Sequence, residues 1–273
     1  MKKFLSLVLV LVMAMSVVTI SAGAASFSDS ANIEYLEAAE LLHGLNIHPG
    51  FEDGTYAPQN QMSRGFAAKC LVYCMLGADK AAKLPTGKTV FKDVTPDYRY
   101  APFVNYLAEQ GLISGYEDGT FKPGDLISAA GMLKMALGVL GYKKDYTGAN
   151  WQWEVRTDAK AAGLMDGIAD FRADSADREQ EEWWALQRDE CAQIMMNALT
   201  SAVVTYADGK ATPVAGTKAA HYDITAGAAA DEIMQLCEKS MPGLKKDAKA
   251  TDFLDREGTG WFLNDEQVAF ILE

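Results

Sequence analysis

Two arginines, Arg64 and Arg188, stand where a run of apolar residues at helical spacing begins. An arginine at the first position of a helix places a cation against the positive end of the helix dipole, which costs up to about 1 kcal/mol unless something offsets it. The free N–H groups of a helix start and a guanidinium group could together bind a carboxylate or a phosphate. The alternative is that each arginine pairs with one of the chain's own 37 acidic residues. Both interpretations stay open at this point.

A loop of distinctive sequence precedes the first of these helices and recurs 65 residues later. Its copies are Gly50-Phe51-Glu52-Asp53-Gly54-Thr55-Tyr56-Ala57-Pro58 and Gly115-Tyr116-Glu117-Asp118-Gly119-Thr120-Phe121-Lys122-Pro123. The Asp side chain can accept from a backbone N–H two residues on, and the Gly that follows it tolerates a positive φ. Both copies therefore predict a specified turn.

Apolar residues at the spacing i, i+3, i+4, i+7 flank both loops and predict a helix on each side. The stripes are Tyr35, Ala38, Ala39, Leu42 and Tyr100, Phe103, Val104, Leu107 before the loops, and Ala68, Leu71, Val72, Met75 and Leu133, Ala136, Leu137, Leu140 after them. Ser63 and Ser128 are the predicted N-caps of the downstream helices. Each unit is thus helix, loop, helix.

A third downstream stripe comes at a further offset of 59 and consists of Ala192, Met195, Met196 and Leu199. Its loop is degenerate, because it begins Gly167-Ile168-Ala169-Asp170 and lacks the Gly-Thr-aromatic end. We interpret this segment as a diverged third copy. A coincidental helix pair is the alternative.

The N-terminus has the pattern of a secretory signal peptide. Lys2 and Lys3 precede an apolar run over residues 4–20 and then a small-residue stretch, which predicts cleavage after Ala24. An uncleaved membrane anchor is the alternative, since the run approaches the roughly 20 residues that a spanning helix needs. With cleavage we expect an exported chain with no membrane partner.

Composition excludes several function classes. The chain has 25 basic and 37 acidic residues, and removal of the two leader lysines leaves a net charge of −14, so nucleic acid is excluded as a partner. Four cysteines and three histidines show neither a disulfide framework nor ligand spacing for a metal. We interpret the thiols as small core or surface residues, with Cys70 and Cys74 buried because they align with apolar residues of the other copies. We predict no metal, no cofactor and, because no catalytic motif is present, no enzyme activity.

Beyond residue 200 the pattern changes. Residues 203–210 predict a strand and turn, residues 228–239 a helix, and residues 260–272 a β-hairpin. We expect a small mixed α/β tail over residues 201–273. It is either a short orphan segment or the front of a longer surface protein.

The two clear copies resemble the S-layer homology repeat. The resemblance covers residues 27–200 and is carried by Phe27-Ser28-Asp29, Met62-Ser63-Arg64, Phe91-Lys92-Asp93-Val94, Tyr100-Ala101, Gly111-Leu112-Ile113-Ser114-Gly115 and Asp118-Gly119-Thr120-Phe121. It implies an all-α fold in which three helix-loop-helix repeats form a pseudo-threefold, three-pronged bundle. The corresponding boundaries are residues 25–78, 89–142 and 146–200, after a signal peptide over 1–24.

The family's function, carried over, is non-covalent anchoring of a secreted protein to the bacterial cell wall. Its ligand is the secondary polysaccharide of Gram-positive walls, often pyruvylated, which the resemblance places in grooves between the prongs. We expect an extracellular protein of the cell wall or S-layer. A self-associating lattice component, or an anchor for a surface enzyme whose catalytic part is absent, is the alternative.

The resemblance also implies which residues bind. In the family an arginine contacts the sugar acid, while an aromatic residue and the backbone of the glycine-rich loop complete the groove. The matching residues here are Arg64, Tyr35, Gly50, Asp53, Gly54, Thr55, Tyr100, Gly115, Asp118, Gly119, Thr120 and Arg188. Copy two has Ala129 where the arginine belongs, and the loop of copy three is rebuilt. We therefore expect one good site at Arg64 and a weaker or lost one at Arg188.

Overall fold

The structure, a computed structural model, describes residues 26–168, 185–216, 234–252 and 254–272. The predicted signal peptide and most of the third loop, from Ala169 onward, lie outside the described residues. Within those ranges no helix is both long enough and apolar enough to cross a membrane.

Helices form where the apolar stripes predict them. A 3₁₀ turn over Ser30–Asn32 precedes α1 (Leu36–Gly44), α2 (Arg64–Leu76), α3 (Ala78–Ala81), α4 (Ala101–Glu109), α5 (Ala129–Leu140), α6 (Trp151–Ala161) and α7 (Arg188–Thr200). The predicted N-caps are confirmed, because the Ser63 and Ser128 hydroxyls accept from the backbone N–H groups of Phe66 and Gly131. Cys70 and Cys74 are buried as predicted, on the packed face of α2, and Cys191 on α7 is buried too.

A closed ring of three backbone hydrogen bonds joins the residues that precede α2, α5 and α7. The N–H of Ile127 donates to the carbonyl of Met62, that of Leu186 to Ile127, and that of Met62 to Leu186, at 2.8, 2.9 and 3.2 Å. All three side chains are buried. Since the ring needs one residue from each unit, the third helix pair occupies a position equivalent to the other two.

The C-terminal segment contains two antiparallel sheets. One is the hairpin of β1 (Val204–Ala207) and β2 (Lys210–Pro213), and the other has the order β3 (Leu244–Thr251), β4 (Glu257–Leu263), β5 (Glu266–Leu272). A short helix, α8 (Leu236–Ser240), lies between them. The predicted C-terminal hairpin is confirmed, and its two-residue turn has positive φ at Asn264 and Asp265, as a type I′ turn requires.

The prediction of an all-α fold class is wrong. Strands make up a substantial part of the chain, because the alternating and β-branched segments after residue 200 pair with one another instead of extending the helical bundle. Of the helix predicted over residues 228–239, residues 228–233 lie outside the described residues, and α8 covers Leu236–Ser240.

The three-stranded sheet packs against the first helix. The indole Nε1 of Trp261 donates to Glu37 Oε1 at 2.8 Å, and Lys246 Nζ lies 2.6 Å from the same oxygen. Strand β5 approaches α1 so closely that a Cβ added at Gly44 would lie 1.8 Å from the carbonyl oxygen of Val268. The tail is therefore docked on the repeats and shares their core.

Candidate functional site

Arg64 lies in a cleft between the first two units. The cleft has a volume of about 640 Å³ and is walled by the second loop, by one face of α5 and by the start of α6. Its lining residues are Arg64, Leu112, Ile113, Ser114, Gly115, Tyr116, Glu117, Asp118, Ser128, Gly131, Lys134, Met135, Tyr146 and Trp151.

The Arg64 guanidinium is held by main chain and aromatic rings. Its Nε donates to the Phe121 carbonyl at 3.0 Å, and its Cζ lies 4.7 Å from the centre of the Phe121 ring and 5.1 Å from that of Tyr116. Among the described residues, no carboxylate forms an ion pair with it and no hydrogen bond involves its Nη atoms. Burial lowers the pKa of Arg64, but the group remains charged. Most of its five donors are thus left for a ligand.

The first N–H groups of α2 are not free, which corrects one part of the anion argument. Arg64 N donates to the Asp125 carbonyl and Gly65 N to the Pro123 carbonyl, both at 2.9 Å. The start of α7 uses the carbonyls of Asn60 and Pro58 in the same way. Each helix start is therefore satisfied by the loop of a neighbouring unit, and the guanidinium alone remains to meet an anion.

The loop that carries the Arg64 contact is fixed by two aspartates. Asp118 Oδ1 accepts from Thr120 N at 2.9 Å and from the Thr120 hydroxyl at 2.5 Å, and this second bond holds the pKa of the carboxyl below its ordinary value. Asp93 accepts from the N–H groups of Phe121 and Lys122, both at 2.8 Å. In the sequence, Asp93 stands out only as part of the family motif. Its counterpart in the first copy, Asp29, accepts in the same way from the N–H groups of Tyr56 and Ala57. The repetition of this aspartate was therefore a signal of its role.

Four further cleft residues were missed from the sequence. Lys134 donates to the Tyr146 carbonyl at 3.3 Å and lies 5.4 Å above the Trp151 ring. The buried Tyr146 hydroxyl donates to Asp158 at 2.9 Å, and that bond together with burial raises the tyrosine pKa. Gly131 leaves the floor open beneath Arg64. Lys134 could have been found, because Lys69 occupies the same place in the first copy.

The equivalent groove at Arg188 is closed. Arg188 is 6% exposed, and it donates from Nε to the Tyr56 carbonyl at 2.9 Å and from Nη2 to the Pro49 carbonyl at 3.0 Å. The Phe66 ring, where the second copy has Gly131, lies 5.8 Å from the Arg188 Cζ and stacks near Tyr100. These contacts leave Arg188 little freedom to bind anything else.

The described part of the third groove lacks an arginine at its helix start and is acidic. Ala129 occupies the arginine position at the start of α5. Tyr35 lies close to Asp189 and Glu190, and burial together with these and other carboxylates raises the pKa of its hydroxyl. The groove's own loop lies outside the described residues.

The structure thus divides the predicted site residues among three places. Arg64 lines the open cleft with Gly115 and Asp118, and Gly119 and Thr120 belong to the same loop without lining the cleft. The closed groove contains Arg188, Tyr100, Gly50, Asp53, Gly54 and Thr55, and Tyr35 alone lies in the acidic one. Neither predicted tyrosine therefore lines the cleft of Arg64. Its aromatic wall is Tyr116, Tyr146 and Trp151.

In the part of the chain that the structure describes, no group of three or more His, Cys, Asp or Glu side chains could hold a metal ion. What the structure does define is a repeat protein whose units exchange contacts in a cycle, with the helix-start arginine of one unit against the loop of another. The candidate site is a cleft between units, of the kind suited to binding.

Comparison with known proteins agrees with this class. The family model of the S-layer homology domain matches residues 26–67 and 90–128, which lie in the first two units. The first two units are therefore S-layer homology domains. The third unit is not matched, and its assignment as a repeat rests on the hydrogen-bonded ring.

Three relatives from bacteria are each 26% identical to this chain. They are a "Cell surface protein" of Thermoanaerobacter kivui over 84% of this chain, a "Cellulosome-anchoring protein" of Acetivibrio thermocellus over 58%, and a "Surface layer protein" of Brevibacillus choshinensis over 62%. The matches span only 29%, 38% and 15% of those proteins. Family and relatives together place the chain at the extracellular cell surface.

Proposed function

We propose that this chain anchors itself to the cell wall by binding an anionic sugar of the wall polysaccharide in the Arg64 cleft. The observation that carries the proposal is the arginine itself, whose Nη donors face an open cleft without a partner among the described residues. In the closed groove the Nη2 of Arg188 donates to the Pro49 carbonyl at 3.0 Å, while its Nε donates to the Tyr56 carbonyl as that of Arg64 does to Phe121.

The charge of the cleft supports an anionic ligand. Two cations, Arg64 and Lys134, line the cleft, and its two carboxylates, Glu117 and Asp118, are exposed on the loop, where Asp118 accepts from Thr120. A carboxylate such as that of a pyruvyl group can accept two hydrogen bonds from a guanidinium. The partly exposed Trp151 and Tyr116 rings offer the apolar surface against which sugar faces pack.

A pull-down with purified cell wall tests the proposal. The mature chain, residues 25–273, is incubated with wall before and after chemical removal of its secondary polysaccharide. We expect binding only to wall that retains the polymer. Arg64→Ala removes at least one charge-assisted hydrogen bond of about 1.5–3 kcal/mol, so affinity should fall roughly 10- to 150-fold. Equal retention by stripped wall would refute the ligand.

Two variants serve as controls. Arg99→Ala removes the same charge from an exposed position outside the cleft, and it should bind like the wild type. Arg188→Ala removes two hydrogen bonds from a buried guanidinium, so we expect it to lower the free energy of unfolding by about 2–3 kcal/mol with a smaller effect on polymer binding per folded molecule.

A second candidate function is a role in a surface lattice, which the relative named "Surface layer protein" favours. Static light scattering of the purified chain, with and without the polysaccharide, separates the two functions. Anchoring alone predicts a particle mass that does not grow with protein concentration.

A further inference from the structure

A second depression continues the Arg64 cleft along α5. It has a volume of about 440 Å³ and shares five wall residues with the cleft, which are Leu112, Ile113, Ser114, Lys134 and Tyr146. Beyond them it is lined by Gln110, Tyr142, Lys143 and the glycine at position 138. The two depressions therefore form one groove, with Lys134 and Tyr146 at the junction.

The shared wall contains open main-chain groups whose counterparts in the first unit are hydrogen-bonded. Ile113 and Ser114 make no backbone hydrogen bond to any described residue. Their counterparts in the first copy are engaged, since the Pro49 carbonyl accepts from Arg188 and the N–H of His48 donates to Leu42. Lys69 likewise donates to the Ile47 carbonyl at 2.6 Å, whereas Lys134 turns to Tyr146.

The second depression has no arginine in its lining, and its lysines have carboxylates nearby. Lys144 is paired with Glu154 and Asp158 at 3.2 and 3.0 Å, and the exposed Lys143 is next in sequence to the paired Lys144 and two residues from Asp145. This depression is polar and close to neutral. Its open donors and acceptors suit hydroxyl and acetamido groups better than a second acid.

From this continuity we propose that the groove binds at least two consecutive sugars of one chain, the sugar acid at Arg64 and a neutral sugar beside Tyr142 and Lys143. The proposal rests on the proposed function and names the length of ligand that the same site recognises. Because a second sugar makes additional contacts in the second depression, the groove binds a polymer more tightly than a free sugar acid.

Calorimetry with fragments of one, two and three sugars, released from purified wall polysaccharide and keeping the terminal acidic sugar, tests this inference. We expect the two-sugar fragment to bind about five- to tenfold more tightly than the single sugar, the effect of one or two added hydrogen bonds. Added salt should weaken binding of the single sugar acid but leave that gain nearly unchanged.

The double variant Tyr142→Leu with Lys143→Ala should bind the single sugar like the wild type and lose the gain for longer fragments. Lys83→Ala, an exposed lysine outside both depressions, should keep it. Equal affinity for all three fragments, or a gain retained in the double variant, would overturn the extended groove while leaving the proposed function intact. Failure of every fragment to bind would overturn both.

Discussion

The most informative single substitution is Gly131→Phe, which would place in the open cleft the side chain that closes the other groove. Gly131 and Phe66 are both the third residue of a helix that follows a serine N-cap. A Cβ at Gly131 would lie 3.6 Å from Arg64 Nη1. A phenylalanine there is expected to cover the guanidinium, as Phe66 covers Arg188.

The magnitude follows from the contacts. Covering Arg64 removes its direct hydrogen bond to a sugar acid, about 1.5–3 kcal/mol, and affinity for the polysaccharide should fall roughly 10- to 150-fold. The new Cβ would lie 3.1 Å from the Ser128 Oγ and 3.2 Å from Ile127 Cδ1, so a packing cost of about 1–2 kcal/mol opposes the gain from replacing a helical glycine.

Calorimetric titration with solubilised wall polysaccharide, together with thermal unfolding, measures both effects. Gly131→Ala is the matched control, because it adds the Cβ without the ring and should retain most of the affinity. Phe66→Ala is the reciprocal change and should uncover Arg188 without weakening the Arg64 site. A folded Gly131→Phe protein with wild-type affinity would refute the assignment of the cleft.

Three further predictions follow from buried contacts. Asp93→Ala removes two hydrogen bonds to the second loop and should lower the free energy of unfolding by about 2–4 kcal/mol in a denaturant titration; an unchanged midpoint would contradict this role. Burial holds the pKa of His48 well below its ordinary value near 6.5, so the unfolded chain takes up a proton that the folded one does not, and stability should fall as pH drops below about 6.5 by up to about 1.4 kcal/mol per unit. The variant His48→Ile with Tyr56→Phe, which copies the Ile113 and Phe121 pair of the second unit, should weaken that dependence in melting curves between pH 8 and 5. Gly44→Ala forces a Cβ against Val268 and should destabilise the protein by about 1–3 kcal/mol, whereas Gly138→Ala, with its nearest contact at 3.5 Å, should not.

Much of the helical part could be predicted from local pattern. The stripes that contain Ala68 and Leu133 and the caps Ser63 and Ser128 are short-range signals, and each helix starts where they indicate. The turns in the loops could also be predicted, because Asp53 and Asp118 each accept a hydrogen bond from the backbone N–H two positions on. The alternation of apolar and polar residues predicted the C-terminal hairpin, but it did not predict how much of the whole chain forms strands.

The partners of the two arginines could not be predicted from the sequence. Among the described residues no carboxylate pairs with either guanidinium, and the carbonyls of Phe121 and Tyr56 accept from their Nε atoms instead. Every residue has a carbonyl, so no side-chain pattern marks which one a distant arginine will meet.

The sequence by itself determined the repeat, the turns, the helix starts and the absence of an arginine at Ala129, because each depends on residues within a few positions of one another. Tertiary structure alone decided that Arg64 faces the loop of another unit 57 residues away, that Phe66 fills one groove while Gly131 leaves another open, and that Lys134 and Trp151 complete the cleft. Those relations arise only when the ring of Met62, Ile127 and Leu186 brings three separate units together.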